Sequence, residues 1–293
     1  MLAAELLYDA KAILGEGPVW DTDKGELMWV DIERGELHFT RPETGTDRKM
    51  ELGAKVGMAV PTKDGKILVA LENGLAFIGD DGTPEIFADP EAGLPNNRFN
   101  DGKCAPDGRL WVGSMDMDYE TNENAGSLYR LDADLTLTRC LTEITVSNGM
   151  AWAPDGRTMY YIDSPTYTVA AFDYELQNGR ISRRRTIIEV PGEHGAPDGM
   201  SIDVEGMLWI AHWDGGNVSR WDPGSGRIIE MINLPAPRTT SCAFGGPDLD
   251  ILYITTARIG LDKRQLAQFP GSGGLFACRV NTRGFEAQKF APN

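Results

Sequence analysis

Short apolar runs, joined in pairs by tight polar turns, recur along the chain. In one copy an apolar run at residues 149–152 precedes a turn at Asp155-Gly156 and a second apolar run at residues 159–162. The same plan returns at residues 199–210. An apolar run, a tight turn and a second apolar run are typical of a β-hairpin. The pattern therefore predicts a chain built from repeated hairpins.

Six segments follow this pattern, and a second pair of strand-like runs follows most of them. The head residue of each hairpin, which stands just before its first apolar run, lies 40 to 50 residues from the next one. Four-stranded units at such a period are typical of propeller blades. The segments between them have no helical periodicity, which argues against a parallel α/β sheet. The head residues are Glu16, Val56, Asp101, Asn148, Asp198 and Ser241.

The repeats predict an all-β fold, a six-bladed β-propeller with four-stranded antiparallel blades around a central channel. Six blades use nearly all of the chain, so residues 1–293 are expected to form a single domain. We expect the ring to be closed by pairing strand-like residues 5–8 with residues 274–280 in one blade, because that pairing covers an exposed strand edge. The content of 34 Gly and 17 Pro agrees with many turns and short elements.

The net charge limits which partners the protein can bind, and its cysteines indicate the cellular compartment. The formal net charge of −16 argues against nucleic acid and anionic membranes, which demand a basic surface. No apolar window reaches the roughly 20 residues of a membrane span, and the N-terminus lacks the pattern of a secretory signal. The four dispersed cysteines have no metal-ligand spacing and are expected to be buried free thiols in a cytoplasmic protein.

Three head residues carry oxygen ligands that suit a hard cation: Glu16, Asn148 and Asp198. The first strand of a blade lines the channel, so these residues are expected to converge at one mouth, where two carboxylates repel each other unless a cation lies between them. Asn-Gly and Asp-Gly are also ordinary turn signals, but each hairpin already has its own turn. We therefore predict one divalent metal ion; oxygen ligands suit Ca²⁺, Mg²⁺ or Mn²⁺, and Zn²⁺ also accepts them.

Other polar residues are expected near the same mouth. Antiparallel pairing brings the end of each second strand there. The polar segment at residues 96–102 is open to two interpretations, a loop entering a strand or a set of side chains that reach a ligand beside the metal. The residues that follow second strands, and that we expect to ring the site, are Asp31, Asp116, Asp163 and His212.

Several sequence stretches around the head residues together resemble the senescence marker protein/regucalcin/gluconolactonase family of six-bladed propellers, and the resemblance spans the whole chain. It implies a divalent-metal-dependent lactonase that acts on sugar lactones. The stretches that carry it include Leu14-Gly15-Glu16-Gly17-Pro18-Val19-Trp20, Asn97-Arg98-Phe99-Asn100-Asp101-Gly102-Lys103, Ser147-Asn148-Gly149, Pro197-Asp198-Gly199-Met200 and Thr239-Thr240-Ser241-Cys242.

The resemblance also implies individual roles. The metal ligands of the family fall on Glu16, Asn148 and Asp198, and its substrate-binding Arg and Asn fall on Arg98 and Asn100. Asp198 is then expected to serve as a ligand and as the general base for the attacking water, while the metal polarises the lactone carbonyl.

A further substrate contact of the family is a Glu in the loop after the second strand of the third blade. The counted position here holds Asp118, which is one methylene shorter, and Asp116 and Glu120 are rivals for the role. If Asp198 is only a ligand, Asp101 is the next candidate for the base. Two other functions stay open: a non-enzymatic calcium-binding or scaffold propeller, and a hydrolase of other esters, such as organophosphates.

Overall fold

The computed structural model describes residues 2–293 and confirms the six-bladed β-propeller with four-stranded antiparallel blades. The innermost strand of every blade contacts the innermost strands of both neighbouring blades, which closes the ring. In blade order, the inner strands are Gly15–Asp21, Val56–Pro61, Asn97–Cys104, Ser147–Trp152, Ala196–Ile202 and Arg238–Gly245.

Three further strands follow outward in each blade, all paired antiparallel. The second strands are Glu26–Asp31, Ile67–Leu71, Leu110–Asp116, Thr158–Asp163, Leu208–Trp213 and Ile251–Ala257. The third strands are Glu36–Arg41, Gly74–Ile78, Gly126–Leu131, Thr168–Glu175, Asn217–Asp222 and Leu275–Arg279. The outer strands are Thr46–Glu51, Pro84–Ala88, Leu137–Ile144, Arg180–Glu189, Arg227–Asn233 and Glu5–Tyr8.

The N-terminal segment joins two blades. Glu5–Tyr8 pairs antiparallel with Leu275–Arg279 and supplies the outer strand of the sixth blade. The preceding strand Leu2–Ala3 pairs parallel with Arg227–Asn233 of the fifth blade. Both contacts cover strand edges that would otherwise be open to solvent.

Helices are few in this fold. The described part of the chain contains one α-helix, Lys263–Gln268, which follows the last inner hairpin, and two 3₁₀ turns at Ser164–Thr166 and Gly192–His194. Among residues 2–293 we find no helix with the length and the apolar character needed to cross a membrane.

The apolar cores lie between the blades rather than within them. Each of the six buried clusters joins two neighbouring blades. Trp111 of the third blade, for example, is fully buried and packs in one cluster with Met150 and Tyr161 of the fourth blade. Because every blade shares both faces with its neighbours, burial of apolar surface stabilises the complete ring rather than single blades.

The head residues stand at bulges in the inner strands, which the hairpin pattern did not predict. The pairing of inner and second strands shifts register between Ser147 and Met150, and again between Pro197 and Met200. A bulge turns a side chain away from the regular alternation of the strand. The corresponding shifts in the other blades fall between Glu16 and Val19, Val56 and Met58, Phe99 and Gly102, and Thr239 and Ser241.

The glycine that follows a head residue allows neighbouring inner strands to approach closely. A Cβ on Gly149 would lie 2.6 Å from the carbonyl oxygen of Asp198, and a Cβ on Gly199 would lie 2.1 Å from Oγ of Ser241. These distances leave no room for a side chain, so the Asn-Gly and Asp-Gly pairs mark contacts between blades rather than turns.

Candidate active site

A cavity of about 750 Å³ opens at the mouth of the channel where the inner strands begin. Glu16, Asn148 and Asp198 all line it, as the convergence of the head residues predicted. Arg98 and Asn100 of the third inner strand line it as well. Its apolar wall comes from the residues Leu14, Met115, Met117, Val146, Pro165, Tyr167, Trp213 and Ile259.

Three buried carboxylates crowd this end of the channel. Glu16, Asp101 and Asp198 are each only 5–6% exposed. Burial, together with the charge of Asp101, raises the pKa of Glu16 to about 8. Burial and the charges of Glu16 and Asp101 also raise the pKa of Asp198 well above its usual range. A cation between Glu16 and Asp198 would relieve this repulsion.

Each of these carboxylates is held by the glycine that follows it. The backbone N–H of Gly17 donates to Oε2 of Glu16 at 2.8 Å, and that of Gly102 donates to Oδ1 of Asp101 at 2.7 Å. The carboxylate of Asp198 is held in the same way by its following glycine. The bulges thus turn backbone donors toward the acidic groups, and hydrogen bonds from N–H groups stabilise their charged forms.

Asp101 differs from the other two carboxylates in its position. It is buried beneath the cavity and does not line it. Its carboxylate interacts with the charge of Lys103, whose ammonium donates to the carbonyl of Met200 at 2.5 Å. Lys103 lines a second, smaller cavity of about 260 Å³ at the other end of the inner strands. None of Glu16, Asn148 and Asp198 lines that second cavity.

The two predicted substrate residues are bonded to each other and to Asn148. Nη1 of Arg98 donates to Oδ1 of Asn100 at 2.6 Å. Nδ2 of Asn100 donates to the carbonyl of Ser147 at 2.8 Å and to Oδ1 of Asn148 at 3.1 Å. Of residues 96–102, Arg98 and Asn100 line the cavity, and residues 97–102 belong to the third inner strand.

Ser164 is a cavity residue that no sequence pattern indicates. It begins the 3₁₀ turn after the second strand of the fourth blade. Its Oγ accepts a hydrogen bond from Nδ2 of Asn148 at 2.8 Å and donates to the carbonyl of Pro197 at 2.6 Å. No local signal marks this role, because both partners are distant in the sequence.

The expectation that residues after second strands ring the site is wrong, since none of the four lines the cavity. Asp31 instead accepts hydrogen bonds from the backbone N–H groups of Ile13 and Leu14, at 2.9 and 3.1 Å. Asp163 holds residues 145–146 in the same way, at 3.2 and 2.8 Å. These aspartates therefore fix the segments that enter the first and fourth inner strands, just before Glu16 and Asn148.

Asp116 and His212 are likewise turned away from the cavity. Asp116 accepts hydrogen bonds from the side chains of Asn96 and Asn122 and, at 2.8 Å, from the backbone N–H of Asp118. His212 is fully buried and bonded to Ser219 of the next strand.

The structure separates the three candidates for the acidic substrate contact. Asp118 is exposed and does not line the cavity, and its carbonyl accepts hydrogen bonds from the backbone N–H groups of Thr121 and Asn122 in a turn. Glu120, two residues later, does line the cavity, next to Tyr119. The position counted from the resemblance is Asp118, whereas the acidic side chain of this loop that lines the cavity is Glu120, two residues later.

The donor set fits a hard cation. It combines carboxylate oxygens of Glu16 and Asp198 with the amide oxygen of Asn148, the ligand types that divalent cations such as Ca²⁺ accept. Among residues 2–293 there is no group of three or more His, Cys, Asp or Glu placed to hold a metal ion, and this set has only two acidic members. Its third oxygen comes from an amide.

A match to a known family accompanies this geometry. Residues 14–258 match the family described as SMP-30/Gluconolactonase/LRE-like region. The chain belongs to this family. The matched range begins just before Glu16 and extends past the second strand of the sixth blade, so it includes every residue of the candidate cation site.

Relatives of this SMP-30/gluconolactonase/LRE-like protein match over nearly the whole chain. A putative sugar lactone lactonase, YvrE of Bacillus subtilis, is 37% identical, with 98% of each chain covered. Regucalcin of Danio rerio is 40% identical, with 94% of this chain and 93% of that protein covered. The solved structure of regucalcin from Agrobacterium tumefaciens, described as a calcium-binding protein, has a TM-score of 0.93 and 30% identity, covering 99% of this chain and 97% of that one.

Proposed function

We propose that this protein is a divalent-metal-dependent lactonase that hydrolyses a sugar lactone to the aldonic acid. The observation that carries the proposal is the common placement of Glu16, Asn148 and Asp198 on one cavity that Arg98 also lines. A cation binder without catalytic activity needs the three oxygen ligands but not a cavity of about 750 Å³ beside them. The lactonase named among the relatives supports the same reaction class.

Glu16, Asn148 and Asp198 would hold the cation, which supplies Lewis-acid polarisation of the lactone carbonyl and stabilises the developing oxyanion. The Asp198 carboxylate accepts the proton of the attacking water. Water adds to the carbonyl carbon, the ring C–O bond breaks, and the released oxygen takes up a proton to become a hydroxyl. An adjacent cation favours the charged form of Asp198 and so opposes the raised pKa that burial gives this group.

The cavity wall supports a polyhydroxylated substrate. Arg98 presents guanidinium N–H groups, Glu120 presents an acceptor, and Tyr119, Tyr167 and Trp213 add aromatic side chains. Sites that hydrogen-bond substrate hydroxyls reject analogues that lack them. The volume of about 750 Å³ lies within the range of about 300–1,000 Å³ that encloses drug-sized ligands, so it leaves room around a single sugar ring. A small-molecule lactone is therefore the proposed partner. We also propose that the protein acts in the cytoplasm, and its four free thiols support that compartment.

The experiment is a substrate panel run with and without a chelator. The panel holds aldono-γ-lactones, aldono-δ-lactones, unsubstituted lactones of equal ring size and organophosphate esters, with Ca²⁺, Mg²⁺, Mn²⁺ or Zn²⁺ added back. We expect turnover of aldonolactones that disappears on chelation and returns with one of these ions. Turnover of organophosphates alone would favour the ester hydrolase, and cation binding without turnover of any substrate would favour the calcium-binding protein.

Chelation also tests where the metal acts. The apolar clusters lie between the blades and contain none of the cation ligands, so circular dichroism and the melting transition should survive metal removal. Unfolding of the chelated protein at room temperature would contradict a catalytic role, because it would show that the metal is structural.

A further inference from the structure

The two ends of the Asn148 amide have opposite chemistry. Its Oδ1 can bind a cation, while its NH₂ group can only donate hydrogen bonds. A rotation of the amide by half a turn would place the donor where the ligand oxygen must stand. In the proposed cation site, this amide can act as a third oxygen ligand beside Glu16 and Asp198 only in the orientation that presents Oδ1.

A chain of hydrogen bonds fixes that orientation. A guanidinium only donates, so the atom of Asn100 that faces Arg98 must be its acceptor, Oδ1. The donor Nδ2 of Asn100 then faces Oδ1 of Asn148, which must accept. The donor of Asn148 is left on the opposite side, where it meets Oγ of Ser164. The direction of each bond follows from the charge and valence of the groups.

Ser164 closes this chain on the fifth blade. Its hydroxyl has one proton, which it donates to the carbonyl of Pro197, so its lone pairs are free to accept from Asn148. Pro197 immediately precedes Asp198, so a single hydroxyl lies between the amide of one proposed ligand and the backbone that carries another. Ser164 is itself held by its backbone N–H, which donates to the carbonyl of Val146 at 3.1 Å.

The hydroxyl of Ser164 has no role in capping its own turn. Asp163 occupies the N-cap of the 3₁₀ turn Ser164–Thr166, and that turn has no side-chain cap hydrogen bond. Both hydrogen bonds of the hydroxyl instead leave the turn toward the cavity floor and the next blade. We propose that Ser164 is a positioning residue that holds the Asn148 amide with its oxygen toward the cation. This inference rests on the proposed cation site.

The test compares Ser164→Ala with Ser164→Thr and with Thr166→Ala, which removes a hydroxyl from the same turn. Oγ1 of Thr166 donates to the carbonyl of Asp163 and does not contact Asn148. Calcium chloride and manganese chloride are titrated into each full-length protein by calorimetry after chelation. Partners that orient a metal ligand typically change affinity about tenfold to a hundredfold. Because Asn100 still holds the amide, we expect about tenfold weaker binding for Ser164→Ala.

Ser164→Thr keeps the hydroxyl and should bind both ions within about threefold of the unmodified protein, and Thr166→Ala should be unchanged. The kcat of Ser164→Ala on an aldonolactone should recover as the ion is raised to saturation, with the circular dichroism of the unmodified protein. A loss that persists at saturating ion, or equal losses in Thr166→Ala, would assign the serine to the fold instead.

Asn148→Ala separates this inference from the proposed function. If Asn148→Ala weakens ion binding and Ser164→Ala does not, the positioning role is overturned and the cation site stands. If neither substitution, nor Glu16→Gln, changes the affinity for either ion, the cation site itself is wrong and the inference fails with it.

Discussion

The guanidinium of Arg98 donates a 2.6 Å hydrogen bond to Oδ1 of Asn100, so the two residues predicted to bind substrate act as one unit. Both donors of the Asn100 amide are used within the protein, on Ser147 and Asn148. A substitution at Arg98 therefore affects Asn148 through Asn100. If substrate residues and metal ligands acted independently, no such effect would be expected.

Arg98→Lys tests this link without changing the charge near the site. Lysine lacks the planar fork of arginine, so it cannot hold Asn100 and a substrate oxygen together. We expect KM to rise about tenfold to a hundredfold, as for a lost hydrogen bond to a charged donor, and the affinity for Ca²⁺ to fall about threefold. Steady-state kinetics and calcium titration measure the two effects. A raised KM with unchanged calcium affinity would mean that Arg98 acts on the substrate alone.

The fold could be predicted from the sequence because it follows from short-range patterns. Hairpins, Asp-Gly turns and their period all lie within single blades, and the convergence of Glu16, Asn148 and Asp198 follows once the blades form a ring. Contacts that cross between blades leave no such trace. Ser164 meets Pro197 of the next blade, and only the packed ring brings the two together.

The bulges in the inner strands are a second feature that the sequence pattern does not fully predict. A regular strand alternates its side chains. A glycine inside a strand, such as Gly149, often marks a bulge or a close approach, but it does not tell which way the neighbouring side chain turns at the register shift before Met150. The same holds for Asp31 and Asp163, which stand at strand ends that face the site but bond to the backbone of entering segments. Strand direction fixes which mouth a residue reaches, whereas the local hydrogen bonds decide where its side chain points.

The position of Glu120 predicts a difference between two neighbouring acids. Glu120 lines the cavity and Asp118 does not, so Glu120→Gln should raise KM for aldonolactones about threefold to tenfold while Asp118→Asn leaves it unchanged. Both substitutions remove one charge from the same loop, so each controls for the electrostatic effect of the other. An effect of Asp118→Asn that equals or exceeds that of Glu120→Gln would show that the loop rearranges when substrate binds.

Burial of His212 predicts a pH dependence of stability. Burial lowers the pKa of His212 from 6.5 to about 4 in the folded protein. Between these values the unfolded chain binds the proton and the folded protein does not, so the free energy of unfolding falls as the pH drops through this window. The contribution is complete above about pH 6.5 and amounts to on the order of 3 kcal/mol.

Urea unfolding of the protein and of His212→Asn, at pH values from 4 to 7, measures this contribution. Carboxylates also titrate in this range, but they do so in both proteins, so the difference between the two curves isolates the histidine. The difference should shrink steadily as the pH falls toward 4. A difference that is constant with pH would mean that His212 is not kept neutral by the fold.

Asp198→Asn separates the two roles proposed for this carboxylate. The amide keeps an oxygen that can bind a cation but cannot accept a proton from water, and a positioned base typically contributes about 10²–10⁴-fold. We expect kcat to fall by at least two decades at saturating metal. The chelated variant should be at least as stable as the unmodified protein, because the substitution removes a carboxylate whose ionisation is opposed by burial and by the charges of Glu16 and Asp101.

Asp101→Asn is the matched variant for this experiment. Asp101 is also a buried carboxylate, but it lies beneath the cavity and does not line it, so we expect a loss of kcat that is smaller by at least tenfold. If excess metal restores the kcat of Asp198→Asn while Asp101→Asn stays inactive, Asp101 is the base and Asp198 is only a ligand. Burial raises the pKa of Asp101, as it does that of Asp198, so the position of each carboxylate relative to the cavity is what distinguishes the two candidates.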